Sequence, residues 1–405
     1  MGNDVVISGL GVVSPLGHDV RSFWDGLLRG EVPVRPLDRP GTPVHGRPVY
    51  AVVDAPGAGT DDTGREPGRA SGFALVAARA ALQDAGLGAA DAALRDGIGV
   101  CVGTGNGDSD LQEAERDGLR ELSGVEWYPY GTSAIMAREL GVYGPGLTVS
   151  TACTAGAYAV SLGAEMITNG EADVVIAGGT EAVCRPAIGA FLRLGASDPL
   201  HCRPFDVDRA GTVYGEGAAM LVLESAEHAA ARGHLPRARV LGSGWSCDGF
   251  HATAPDPSGV QAGRAAREAL ERGGVTPEDV GALMCHGTGT PANDSTESRV
   301  AAELLGDRTP DVPAAAVKAS LGHSGGAAGA FACVAAVLVL ESGLVPPVGT
   351  LRRLDPSCGL SVVRDAPAPS TGSTVLVNAY AFGGNNISVA IGAASGRDGN
   401  AEVGV

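Results

Sequence analysis

Short, almost continuous apolar runs recur along the whole chain and alternate with helical runs of small residues. In the first half these runs predict strands at 4–9, 97–103, 146–152, 173–179 and 218–224. A strand that is apolar along its whole length suits a sheet covered on both faces rather than a sheet open to water. The pattern therefore predicts an α/β protein with helices packed on both sides of its strands.

The second half of the chain repeats this alternation. Strands are predicted at 238–244, 280–287, 314–320, 374–380 and 387–393, and helices at 69–87, 154–170, 260–272, 295–305 and 325–342. The stretches "LTVSTACTAGAYA" and "AAVKASLGHSGGAAGA" each lead from a strand through small polar residues into a Gly/Ala-rich helix. Their similarity predicts a duplicated αβ unit, with one copy in each half.

Charge and cysteine usage argue against several classes of protein. The chain has 405 residues and a formal net charge of −17, which disfavours a general nucleic-acid surface or an anionic membrane partner. The longest apolar run, "GAFACVAAVLVL", is about half a membrane span, so a buried helix is expected there. The eight cysteines are scattered singly, which favours neither a zinc site nor a disulfide framework and fits a reducing cytoplasm.

Lys318 is the only lysine in a chain that has 29 basic residues, and all the others are arginines. Such a composition is typical of GC-rich coding, because arginine codons are richer in G and C than lysine codons. The survival of one lysine is either chance or the mark of a position where the broad guanidinium of arginine does not fit.

Three residues that can carry chemistry lie where a predicted strand leads into a small-residue turn. Cys153, in "VSTACTAGA", begins a helix whose partial positive charge and free N–H groups favour a thiolate. His286, in "CHGTGTPANDSTE", and His323, in "VKASLGHSGG", occupy similar junctions. Each alone is more often a structural residue, but together they form a nucleophile with two imidazoles. The glycines of "NAYAFGGNN" predict a fourth turn that could present N–H donors to an oxyanion.

These motifs resemble the β-ketoacyl synthase (condensing enzyme) branch of the thiolase superfamily. The resemblance spans residues 4 to about 392 and rests on "SGLGVVSPLG", "GPGLTVSTACTAGA", "ADVVIAGGTEA", "RPFDVDRAGTVYGEGAAMLVLE", "APDPSG", "HGTGTPANDSTE", "VKASLGHSGGAAGA" and "NAYAFGGNN". It implies a thiolase-like α/β fold, with duplicated αβ halves stacked as a five-layer α-β-α-β-α arrangement. The expected halves are residues 1–235, which carry the nucleophilic cysteine, and residues 236–405, which carry the two histidines.

The same resemblance implies an acyltransferase of the 3-oxoacyl synthase type. An acyl group held on Cys153 would undergo decarboxylative Claisen condensation with malonyl-acyl carrier protein. His286 and His323 would hold the enolate that forms when CO2 leaves. The backbone N–H groups of Cys153 and Phe382 would form the oxyanion hole, with Phe382 also acting as a gate.

Further residues are assigned by the resemblance alone. Lys318 belongs to the catalytic set and is expected near the second histidine and a buried carboxylate, Glu297. The remaining assignments are Asp294 as a supporting residue, Thr288 and Thr290 at the pantetheine arm, and Arg65 and Arg69 at a docking surface for the carrier protein. The family implies no metal and no permanently bound cofactor, since substrates arrive on the phosphopantetheine of acyl carrier protein. The expected partners are that carrier and either a second copy of the chain or a chain-length-factor-like homologue, in the cytoplasm, with no nucleic acid and no membrane.

Three departures from the family leave the substrate open. The segments 103–153 and 194–206 are short, and the last motif has Gly-Gly-Asn-Asn where Gly-Gly-Thr-Asn is usual. The short pocket segment favours type II polyketide or specialised lipid synthesis over housekeeping fatty-acid elongation. A repurposed member that makes esters or amides, or that only decarboxylates, is a further alternative. A thiolase is disfavoured because "AYAFGGNN" has no second cysteine, and a non-catalytic chain-length factor because Cys153 is present.

Overall fold

The computed structural model describes residues 4–60, 66–88, 95–119, 121 and 128–394. The strands are β1 Val5–Val13, β2 Arg35–Pro36, β3 Pro48–Val49, β4 Ile98–Gly103, β5 Gly146–Val149, β6 Val174–Glu181, β7 Gly217–Ser225, β8 Ala238–Cys247, β9 Val280–Met284, β10 Pro313–Ala315, β11 Leu344–Val345, β12 Ser361–Val362, β13 Ala368–Pro369, β14 Thr374–Tyr380 and β15 Asn385–Ala393. The helices are α1 Val20–Leu28, α2 Arg69–Asp84, α3 Ser109–Arg116, α4 Gly131–Leu140, α5 Ala155–Thr168, α6 Arg185–Arg193, α7 Ala226–Ala231, α8 Val260–Arg272, α9 Pro291–Leu305, α10 Lys318–Leu321 and α11 Ala328–Ser342.

Within these residues eleven strands form one mixed sheet in the order β12-β10-β9-β14-β15-β8-β1-β7-β6-β4-β5. The two halves meet where β1 pairs antiparallel with β8 through three residues, Val5–Ile7. On one side of this junction β1 is followed by β7, β6, β4 and β5, and on the other side β8 is followed by β15, β14, β9 and β10. The successive pairings are antiparallel, antiparallel, parallel and parallel on both sides. This matched topology confirms the predicted duplication.

The helices complete the five predicted layers. Helices α2 and α4 cover the outer face of the first half-sheet, and α8 covers the outer face of the second. Helices α5 and α11 fill the middle, where α5 packs on β6 and β4 and α11 packs on β14, β15 and α5. The predicted boundary between residues 235 and 236 falls in the connection before β8 and stays a prediction.

The middle layer explains the abundance of small residues. Every residue of α11 from Ala328 to Val339 is buried. A Cβ added at Gly329 would lie 2.7 Å from the Cβ of Ala157, so α11 and α5 can approach this closely only without a side chain there. The stretch Gly325–Ser342 is long and apolar enough to cross a membrane, but 83% of it is buried inside the protein, as expected for a core helix.

The largest error in the predicted elements lies at 314–320. The strand there ends at Ala315, and Lys318 begins the short helix α10. The chain turns because the N–H groups of Ala319 and Ser320 bond back to the carbonyls of Ala316 and Val317. Apolar periodicity over seven residues cannot distinguish such a buried turn from a strand. The polar tail expected after residue 394 lies outside the described residues.

Candidate active site

The sequence-predicted nucleophile and histidines meet at one pocket with a volume of about 270 Å³. Cys153 follows β5, His286 follows β9, and His323 follows α10 after β10. Parallel strands end at the same edge of a sheet, so each half delivers its polar residues to one side of the middle layer. The residues that line the pocket and carry chemistry or shape it are Cys153, His286, His323, Thr288, Thr290, Asn293, Phe191, Tyr380 and Phe382.

Cys153 lies in a single 3-10 turn, Ala152–Thr154, that leads directly into α5. The preceding residue, Ala152, has a positive φ of 51°, a backbone strain that clusters at functional sites. Burial raises the pKa of the Cys153 thiol to about 11, although the positive charge of Lys318 and the Phe382 N–H act in the opposite direction. Loss of water therefore has a larger effect on the pKa of this thiol than the charge and N–H groups that favour the thiolate.

Lys318, the only lysine in the chain, holds His286 in place. The Lys318 ammonium donates to the backbone oxygen of His286 at 2.5 Å and approaches His286 Nδ1 at 3.3 Å. Since an ammonium group has donors only, Nδ1 is the acceptor and Nε2 carries the imidazole proton. Burial, followed by the charges of Lys318 and His323, lowers the pKa of His286 well below its usual value, so the ring is neutral.

His323 reaches the same protonation state by a different route. Its Nδ1 accepts the backbone N–H of Gly325 at 3.2 Å, which leaves the proton on Nε2. Burial and the charge of Lys318 lower the pKa of His323 well below its usual value. The two imidazole rings lie edge to face with centroids 5.8 Å apart. The pocket thus holds two neutral imidazoles, each with an N–H available to a substrate oxygen.

Two buried carboxylates hold the loop that carries His286. Glu297 accepts the N–H groups of His286 and Gly287 at 2.7 and 2.8 Å, and Asp294 accepts the N–H of Thr288 at 3.0 Å. Burial raises the pKa of Glu297 to about 7 against the effect of these N–H donors. Lys318 therefore contacts the first histidine directly, and its charge also acts on Glu297 and on the second histidine, His323.

The turn after β14 supplies the remaining donors. Gly383 and Gly384 have φ values of 83° and 77°, which other residues rarely adopt, so this turn depends on glycine. The turn directs the N–H of Phe382 toward the Cys153 sulfur, where it favours the thiolate. The backbone N–H of Cys153 also lowers the pKa of the thiol and so favours the thiolate. Both N–H groups therefore lie where an oxyanion formed at a Cys153-bound acyl carbon would need them.

Phe191 on α6 is a site residue that the sequence did not reveal. Its ring contacts the rings of Tyr214, His323 and Phe382, with centroid distances of 5.9, 5.5 and 5.5 Å. It therefore packs against both a histidine and the Phe382 turn. The apolar spacing of this helix is the pattern of an ordinary core helix, so it carried no signal of a site.

The chain matches two consecutive family descriptions. Residues 2–229 match "Beta-ketoacyl synthase, N-terminal domain", and residues 237–352 match "Beta-ketoacyl synthase, C-terminal domain". The chain belongs to the β-ketoacyl synthase family. A curated relative, 3-oxoacyl-[acyl-carrier-protein] synthase 2 of Synechocystis, is 34% identical over 410 residues, which cover 95% of this chain and 97% of the relative.

Solved structures of ketosynthases share the fold of this β-ketoacyl synthase. The ishigamide ketosynthase/chain length factor superposes with a TM-score of 0.89 at 38% identity, over 97% of this chain and all of the other. A second solved structure is a type II polyketide synthase acyl-carrier protein in complex with its ketosynthase bound to the hexaketide. It gives a TM-score of 0.85 at 28% identity, over 97% of this chain and all of the other. These likenesses confirm the predicted thiolase-like fold and acyltransferase class.

The two threonines and two arginines assigned by resemblance lie in different settings. The hydroxyl groups of Thr288 and Thr290 lie 2.8 Å apart in the pocket wall. The Arg69 guanidinium donates to both oxygens of buried Glu216 at 2.6 and 2.9 Å, so this side chain has a structural role at the start of α2. Arg65 lies outside the described residues.

The structure gives no site for a metal in the described part of the chain, where no group of three or more potential ligand side chains is found. All eight cysteines are free thiols, and Cys247 is the exposed one. Cys247 is therefore an accessible thiol in addition to Cys153 in the pocket.

We predict that alkylation of Cys153 in a Cys247→Ala background keeps accelerating as the pH rises. Because the thiolate reacts and its pKa is raised to about 11, the rate should climb between pH 7 and pH 10 without a plateau. Peptide mass spectrometry after timed iodoacetamide treatment measures it. A plateau below pH 8 would show that the resting thiol is ionised.

Lys318→Arg is predicted to lower turnover at least about tenfold, close to the effect of Lys318→Ala, because a guanidinium does not fit the 3% exposed site under His286. Arg239→Lys is the matched control, since Arg239 pairs with Asp4 near the surface. Turnover and thermal melting would be measured together. A fully active Lys318→Arg enzyme would mean that the lone lysine is an accident of codon usage.

Proposed function

We propose that this β-ketoacyl synthase extends an acyl group held on Cys153 with malonyl-acyl carrier protein, by decarboxylative Claisen condensation. The observation that carries the proposal is the pairing of two neutral imidazoles, both protonated on Nε2, with a buried cysteine flanked by two backbone N–H donors. Donors aimed at developing negative charge in a dry pocket are the largest catalytic contribution that such a site can make.

The first step is acyl transfer. The Cys153 sulfur attacks the carbonyl carbon of an acyl thioester, and the pantetheine sulfur leaves. The proton of the Cys153 thiol passes, in net terms, to the departing thiolate. The N–H groups of Cys153 and Phe382 stabilise the intervening oxyanion. Thr288 and Thr290 offer hydroxyl groups to the polar pantetheine arm along the pocket wall.

The second step makes the new carbon–carbon bond. The malonyl carboxylate leaves as CO2, and the electron pair of the broken bond forms an enolate whose oxygen accepts from Nε2 of His286 and His323. The enolate carbon then attacks the acyl carbon on Cys153. Collapse of the oxyanion expels the Cys153 thiolate and leaves a 3-oxoacyl thioester on the carrier. Neutral imidazoles suit this task, because they donate without a charge that would have to be desolvated.

We further propose that the reaction serves type II polyketide or specialised lipid synthesis in the cytoplasm. Support comes from the two solved ketosynthases, one named with a chain length factor and one in complex with its acyl-carrier protein. Housekeeping fatty-acid elongation is the alternative, and the relative named 3-oxoacyl-[acyl-carrier-protein] synthase 2 supports it. Substrates of either pathway would come on the phosphopantetheine of acyl carrier protein, with no permanently bound cofactor.

A partner subunit is proposed at strand β5, either a second copy or a chain-length-factor-like homologue. β5 is the last strand of the sheet within the described residues, and its residue Leu147 is 37% exposed. Tyr143 beside it is 69% exposed, and Tyr128 and Tyr130 stack with centroids 5.3 Å apart in the same part of the sequence. An unpaired edge strand with exposed large side chains favours pairing with another chain.

Carrier docking by Arg65 and Arg69 also remains a proposal. The carrier is acidic and this chain has a net charge of −17, so docking needs a local basic surface. Arg69 is only partly free for this role, because its guanidinium is held by Glu216. Reversal of its charge would leave that buried carboxylate unpaired and would damage the fold as well as the docking.

We predict that His286→Ala and His323→Ala each lower condensation by about 100-fold or more, the scale for the loss of one oxyanion donor. Both variants should still acylate Cys153, since that step uses backbone donors. Intact-protein mass after acyl-carrier treatment reports acylation, and product formation after malonyl-carrier addition reports condensation. His45→Ala, at an exposed position, is the control.

Full condensation by both single histidine variants would overturn the two-histidine mechanism. Formation of an ester or amide with a small nucleophile, in place of a 3-oxoacyl product, would instead identify a repurposed member of the family.

A further inference from the structure

Glu181 is a buried carboxylate that the proposed reaction does not use. It ends β6 and is fully buried, and no ion pair within the described residues reaches it. Its Oε1 accepts the backbone N–H and the side-chain Nδ2 of Asn106 at 3.0 and 3.3 Å. Its Oε2 accepts the backbone N–H groups of Gly105 and Gly326 at 2.9 and 2.8 Å. Four N–H groups from two separate loops therefore converge on one side chain.

One of those loops carries His323. Gly326 directly follows Gly325, whose N–H is the donor to His323 Nδ1. Gly325 has a φ of +46°, and a Cβ added there would lie 2.3 Å from Glu181 Oε2. The carboxylate thus packs against the turn that supplies the tautomer-setting hydrogen bond. On the other side of His323, its own N–H donates to Val213 O at 2.7 Å, so the loop is held at both ends.

We propose that Glu181 is the positioning residue of His323. Its carboxylate holds the Gly325–Gly326 turn so that the Gly325 N–H stays on Nδ1 and the imidazole proton stays on Nε2, toward the pocket. The consequence for catalysis rests on the proposed function, but the control of the tautomer does not. By the same bonds Glu181 joins the His323 loop to the Gly105–Asn106 loop, which follows β4 beside β5, the strand that leads to the Cys153 turn.

A carboxylate is required here because all four partners are donors. Glutamine at this position would turn an NH2 group toward two of them, and the turn would have to move. Burial raises the pKa of Glu181, and the negative charge of Glu181 also raises the pKa of Cys153. The carboxylate thus works against ionisation of the nucleophile, so its benefit to the site lies in the geometry of the turn.

Two variants disturb this carboxylate by different means. Glu181→Gln removes two acceptor positions. Gly105→Ala keeps the charge but adds a Cβ that would lie 2.8 Å from Oε2, so the carboxylate must shift. Glu224→Gln is the matched control, because Glu224 is equally buried but pairs with Arg232 near His228, away from the pocket. In each protein, labelled with ¹⁵N-histidine, the nitrogen shifts of His323 report its tautomer, with His323→Ala used for the assignment.

The wild-type protein and Glu224→Gln should show His323 protonated on Nε2 alone. Glu181→Gln and Gly105→Ala should show a mixture of tautomers. Condensation should fall by about tenfold to 100-fold in these two variants, the scale for misplacing a catalytic group by about 1 Å, with acylation of Cys153 not slowed.

A wild-type His323 tautomer in both Glu181→Gln and Gly105→Ala would overturn the proposal, as would the same mixture in Glu224→Gln. If Glu181→Gln does not fold, Gly105→Ala decides alone. A wild-type protein that makes no 3-oxoacyl product would refute the proposed function, and the nitrogen shifts would still test Glu181.

Discussion

The burial of the reactive side chains is the constraint on which the chemistry of this protein depends. Cys153, His286, His323 and Lys318 are each less than 8% exposed, so every polar atom among them needs a partner within the protein. Burial suppresses charge on all three groups that would react: the thiol keeps its proton and both imidazoles stay neutral. The buried site thus holds neutral hydrogen-bond donors rather than charged reactive groups. Such donors suit a reaction that creates negative charge on oxygen.

Lys318 is the exception, because it places a buried ammonium group against His286 in the pocket wall. Its own pKa is lowered by burial and raised again by nearby thiols and carboxylates, Cys153 before Glu297. The positive charge lowers the pKa of both histidines and opposes the rise in the pKa of Cys153. One compact cation thereby influences every reactive group, which gives the composition anomaly a physical reason.

The burial of these groups in turn depends on the small residues of the middle layer. A Cβ at Gly156 would lie 2.6 Å from the carbonyl oxygen of Gly326, so the helix behind Cys153 packs directly on the loop behind His323. These positions bring the two halves of the duplicated fold together, and the site forms from both. Neither half holds the nucleophile together with the histidines, so the condensing site exists only in the joined chain.

Much of this arrangement could be predicted from the sequence. Apolar runs located the long strands, and the motif order identified Cys153, His286, His323 and the Phe382 turn. Features set by tertiary contact could not be predicted. Phe191 has the spacing of a core residue, Lys318 lies in a helix where a strand was expected, and the hydrogen bond from Lys318 to His286 depends on that turn. The raised pKa of the Cys153 thiol could not be predicted either, because the helix N-terminus is visible in the sequence whereas the extent of burial is not.

The central claim is that loss of CO2 and formation of the carbon–carbon bond are coupled at Cys153. The most direct measurement is single turnover of acyl-loaded enzyme with malonyl-carrier labelled in its free carboxyl group. Coupled steps should release one labelled CO2 for each 3-oxoacyl thioester formed, and Cys153→Ala should form none of that product. CO2 release without a 3-oxoacyl product in the wild-type enzyme, or that product with the label retained, would contradict it.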